Sequence, residues 1–62
     1  MITRIDYESM DGKRIAWIVR ISERQWFVGR AQRIDGNPHL KHRRIAKSLT
    51  SAQGMARTWV GR

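Results

Sequence analysis

The sequence has no cysteine, a single proline, only five acidic residues and no long apolar run. Without cysteine, neither disulfides nor thiolate metal sites can reinforce a small fold. No stretch approaches the 18 or more apolar residues of a membrane-spanning helix. Met1 to Tyr7 lacks the apolar core and small-residue cleavage site of a signal peptide. These features lead to the expectation of a cytoplasmic protein, nucleoid-associated or, if phage-encoded, in the host cytoplasm, with no membrane partner. Catalysis also lacks material. The carboxylates form no pair inside a predicted pocket, Ser, His and Asp occur without nucleophile context, and single glycines build no phosphate loop. A binding protein is expected, not an enzyme, and no cofactor is implied.

At 62 residues the chain accommodates one small domain, which buries about 60% of the surface its unfolded form exposes. Unstapled scaffolds of this size depend on tight packing or on oligomerisation, so a homodimer stays open. What the sequence does have is positive charge. Thirteen Lys and Arg against five Asp and Glu give a formal net charge of +8 and a pI near 11.6. Ten of the thirteen are arginine, the residue suited to bidentate phosphate and base-edge contacts. A hydrophobic fraction of 40% with three tryptophans separates the chain from disordered basic tails. Residues 1 to 35 hold every acid and seven bases, a net of +2; residues 36 to 62 hold six bases, both histidines and no acid, a net of +6. The second half is therefore the expected polyanion-facing one.

Apolar spacing predicts an α+β fold, an antiparallel meander of three to four strands packed against one C-terminal helix. In the first strand, about 2–8, Thr3, Ile5 and Tyr7 share a face. Asp11-Gly12 has the residues of a type I′ hairpin turn. In the second strand, 14–21, Ile15, Trp17, Val19 and Ile21 recur with a period of two. A third strand is predicted over 26–34, ended by Asp35-Gly36-Asn37-Pro38, and a fourth over about 42–48. The period then changes: Ala52, Met55, Ala56, Trp59 and Val60 form one helical stripe over 51–61. Thr50 and Gln53 have capping-box form. Gly54 costs this helix roughly 1 kcal/mol against Ala unless a close helix–sheet contact requires it. The helix is expected to cover the sheet face carrying Ile5, Tyr7, Ile15, Trp17, Val19 and Ile21, which leaves the other face for function.

On that open face the candidate nucleic-acid contacts are Arg30, Gln32, Arg33, Lys41, Arg43, Arg44 and Lys47, with cations on phosphates and Arg30 or Gln32 at a base edge. Arg30 and Arg33 share a face only if Gly29 marks a bulge. Each arginine taken singly reads first as part of a solvated surface that keeps the protein soluble, and it is the collective charge of the second half that points to nucleic acid. Trp59 and Trp17 are expected in the core. Trp26, beside a polar turn, is a candidate to stack on a base, to cap the core edge or to lie in a dimer interface. His39 and His42 have the spacing of a partial metal pair, but zinc needs three or four ligands and no third histidine exists. No metal site is expected.

From Trp26 onward, the sequence Trp26-Phe27-Val28-Gly29-Arg30-Ala31, the turn Asp35-Gly36-Asn37-Pro38, the strand Arg43 to Leu49 and Thr50-Ser51-Ala52 leading to Ala56 and Trp59 together resemble two families. They are the N-terminal arm-binding domain of phage-type tyrosine recombinases and the plant ethylene-response-factor type of DNA-binding domain. HicB-like antitoxin domains and other β-β-β-α modules are similar in spacing as well. A long turn from Asp35 to Leu40 and an extra N-terminal strand depart from the pattern. The resemblance implies a three-stranded sheet that enters the major groove, with Arg30, Gln32, Arg33, Arg43, Arg44 and Lys47 facing it. It implies a freestanding accessory protein, with duplex DNA favoured over RNA. The competing expectation is a small inhibitor or adaptor, anti-CRISPR-like, bound to a protein or ribonucleoprotein partner. Salt separates the two, because phosphate binding falls steeply with salt concentration and an apolar interface does not.

Overall fold

The structure is a computed structural model that describes residues 3–61; Ile2 of the first predicted strand and the terminal Arg62 lie outside them. Four strands, β1 (Arg4–Glu8), β2 (Arg14–Ser22), β3 (Gln25–Ile34) and β4 (Asn37–Ala46), precede a single helix, α1 (Leu49–Val60). The strands form one sheet in the order β1-β2-β3-β4, each pair antiparallel. The expected α+β meander with a C-terminal helix is the observed architecture. Among the described residues no helix is long and apolar enough to cross a membrane.

The hairpin chemistry differs from expectation at both Asp-Gly pairs. Asp11-Gly12 is not a two-residue turn: β1 ends at Glu8 and β2 begins at Arg14, so the loop holds five residues, and of these only Gly12 has positive φ. Here the Asp11 carboxylate accepts from the Ser9 hydroxyl at 2.6 Å and from the Lys13 amide at 2.9 Å. Those two bonds hold its pKa below the ordinary carboxylate value. The loop is therefore favoured above the unfolded pKa and loosens as pH falls through the lower folded one. The type I′ turn lies instead at Asp35-Gly36, with φ of 54° and 81° and Ile34 paired directly with Asn37. The long turn expected over Asp35 to Leu40 is thus two residues, and β4 begins at Asn37 rather than 42. Pro38 is tolerated because β4 is an edge strand.

Helix α1 begins earlier than the capping-box reading places it. Ser48, in extended conformation, caps it by accepting the Ser51 amide at 3.2 Å, and Thr50 is already inside the helix. Gly61 ends it in the left-handed conformation.

The largest correction concerns which face α1 covers. The helix buries Ala52, Ala56 and Val60 against Ala16, Ile18, Val28 and Ala46, with Ile5, Tyr7, Trp26, Met55 and Trp59 packed around them. Ile5 and Tyr7 face the helix as expected. Ile15, Trp17 and Val19 are only half-buried, on the opposite side of β2, and Ile21 is exposed where the register shifts. The period of two in β2 is right and its phase is inverted. A helix stripe of Ala, Ala and Val comes close only to small side chains, and Ala16 and Ala46 provide them.

Gly54 is exposed, and a Cβ there would meet nothing within 4 Å. No helix–sheet contact requires it. Replacing Gly54 by Ala should therefore stabilise the fold by about 1 kcal/mol, raising Tm by roughly 4–8 °C in a thermal melt. An unchanged or lower Tm would show that the helix approaches something at this position.

Candidate nucleic-acid interface

The helix-free face of the sheet is built in three rows set by strand register. Arg4, Val19, Phe27 and Ile45 make the first, and Asp6, Trp17, Gly29 and Arg43 the second. Glu8, Ile15, Ala31 and Leu40 make the third. Its centre is apolar and aromatic; Ile45 and Leu40, on the β4 side, are 53% and 50% exposed. Gly29 makes room for the ring of Trp17, since a Cβ at residue 29 would lie 2.3 Å from indole Cε2. The Arg4 guanidinium sits 5.9 Å from the Trp17 ring centroid, held by Asp6 at 3.0 Å. Beside Trp17 runs an open cleft of about 620 Å³, bordered by Tyr7, Ile15, Arg33 and Pro38.

The two rims of this face differ electrostatically. On the β1 side the cations are neutralised: Arg4 pairs with Asp6, and Arg33 pairs with Glu8 while also donating to the Gly12 carbonyl. On the β4 side every residue from Asn37 to Ile45 is exposed. Among the described residues no carboxylate pairs with Lys41, Arg43 or Arg44. The absence of acid after residue 35 is the direct cause. Cations on an edge strand also discourage unwanted strand pairing, so their exposure is consistent with a purely protective role.

The eight predicted contact residues do not converge on one surface. The register slips between Arg30 and Ala31, where Lys41 is the extra residue on β4; Gly29 itself is in regular pairing. Arg30 and Arg33 therefore stay on opposite faces. Arg33 and Arg43 lie on the helix-free face. Arg30, Gln32 and Arg44 lie on the helix side by their pairings with Ala16, Arg14 and Val28. Lys47 is exposed in the bend between β4 and α1.

Arg30 is half-buried at 5.9 Å from the Trp59 ring centroid, with Arg14 at 5.2 Å and His42 edge-on at 5.6 Å. The Trp59 indole donates to the Ala31 carbonyl at 2.9 Å. Trp59 thus packs at the core margin and orders cations around itself. Trp26 is half-buried against the core on the helix side, the core-edge role. Trp17, expected in the core, supplies the aromatic surface of the helix-free face together with Phe27. The legible signal was Gly29, a glycine inside a strand that marks close approach by another group.

The fit of Trp17 over Gly29 is testable by a double-mutant cycle. Gly29→Ala should cost about 1–3 kcal/mol in urea denaturation, because the new methyl displaces the indole. In a Trp17→Ala background the same change should cost little. Equal costs in both backgrounds would place the Trp17 ring elsewhere. Comparison of the chain with protein-family models, curated proteins and solved structures gives no match.

Proposed function

We propose that the chain is a nucleic-acid-binding protein with an accessory or regulatory role, and that duplex DNA is among its ligands. The observation that carries this reading is β4: an exposed edge strand with Lys41, Arg43 and Arg44 free of ion pairs among the described residues. Cations without internal partners remain available to phosphates, and each phosphate contact releases condensed counterions. The end of the β3–β4 hairpin, Arg33 to Leu40, is exposed throughout. A two-stranded ribbon of this kind is an element that a major groove admits. The formal charge of +8 adds long-range steering toward any polyanion.

The test is a titration of random duplex DNA at two salt concentrations with the wild-type protein and the Arg43→Ala/Arg44→Ala double variant. Micromolar-range binding at low salt should collapse at high salt. The double variant should bind several-fold more weakly and show a salt slope smaller by about two, with its melting temperature unchanged. If the double variant binds as tightly as wild type, β4 is not the contact surface. If the wild-type protein fails to bind even at low salt, the charge serves an acidic protein partner instead.

A further inference from the structure

We infer that the helix-free face of the sheet is a site for unpaired nucleobases, with Trp17 and Phe27 as the stacking surface and Arg43, with Lys41 at the β4 bulge beside it, on the adjoining phosphates. The inference rests on the nucleic-acid reading above and adds the form of ligand that this face takes. The face asks for an occupant with two properties at once. Its apolar centre needs planar or apolar groups, and its β4 rim needs negative charge. A single-stranded nucleic acid has both, as an anionic backbone with a base on every unit.

The geometry supports that match in four ways. Trp17 spreads over Gly29 and is only half-buried, so one side of the indole rests on the sheet while the ring stays accessible. Phe27 is its diagonal neighbour on β3, one row away, close enough for both rings to serve successive bases. The open cleft beside Trp17, bordered by Ile15 and Pro38, leaves room for a splayed base. Arg4, above the indole, is exposed and held by one exposed ion pair, so it moves aside or stacks on a base at little cost.

Charge argues against a second copy on this face, and base stacking against a duplex. A second copy would bring two chains of formal charge +8 together with the cationic rim of each face at the seam. A duplex keeps its bases stacked on one another and presents no planar surface to Trp17. The half-buried aromatic surface is therefore surplus to duplex binding through β4, and this separates the two modes.

The experiment compares a labelled oligothymidylate with a duplex of the same length by fluorescence anisotropy, using wild type, Trp17→Ala and Trp17→Phe. Wild type should favour the single strand. Trp17→Ala should weaken single-strand binding by roughly 5- to 150-fold and leave duplex binding unchanged, while Trp17→Phe restores much of the loss. Because Trp17→Ala risks misfolding, amide and indole chemical shifts of the wild-type protein supply the second measurement. Oligothymidylate should move the Trp17 indole signal and leave that of Trp26 in place. Duplex binding without single-strand preference, or shifts that spare Trp17, overturns the inference and leaves the duplex reading intact. Failure to bind either nucleic acid removes both. A dimer in sedimentation equilibrium that broadens the Trp17 signal overturns the inference in favour of a second copy.

Discussion

The close contact between a helix stripe of small side chains and one face of β2–β4 decides the rest of this structure. Among the described residues, five of the eight buried apolar side chains are alanines: Ala16, Ala31, Ala46, Ala52 and Ala56. Ala52 and Ala56 bring α1 down onto Ala16 and Ala46, and Ile18 and Val28 fill the space between. A helix seated that closely cannot lie over Ile15, Trp17, Val19 and Phe27. Those residues are consequently left on the solvent side, although taken together their side chains are larger than those of Ala16, Ile18, Val28 and Ala46 beneath the helix. A small core and an apolar outer face are two results of one packing choice.

Charge follows the same division. On the helix side, Arg14 and Arg30 gather around Trp59 and spend their charge on its ring. On the β1 margin the two arginines are balanced by Asp6 and Glu8. On β4, by contrast, Lys41, Arg43 and Arg44 have no ion pair among the described residues. The molecule thus has a neutralised edge, an apolar middle and a cationic edge across one sheet. In the proposed single-strand mode, that gradient would set phosphates on β4 and bases toward β2.

Much of this fold was legible because its signals are local. The period of two in β2, the change to helical spacing at Ala52 and the acid-free second half required only neighbouring residues. The errors arose where two local solutions were equally good. Both faces of β2 are apolar, so periodicity identified the strand and could not choose its covered side. Both Asp-Gly pairs have type I′ chemistry, and the one at Asp35 forms that turn because Ile34 and Asn37 pair across it. Ser48 and Thr50 both cap helices, and the choice fell to the residue just after β4 that remains extended.

By itself, the amino-acid order determined a basic meander of three to four strands with one terminal helix, since alternation, turn residues and charge counts act over a few positions along the chain. Only tertiary structure decided that Trp17 lies on the helix-free face and Trp26 on the helix face, that Arg30 turns to Trp59 while Arg43 faces the other side, and that Gly29 seats an indole. Each of those outcomes depends on which face a distant helix of alanines approaches. That is a question of how closely two surfaces fit, and no window of adjacent residues contains it.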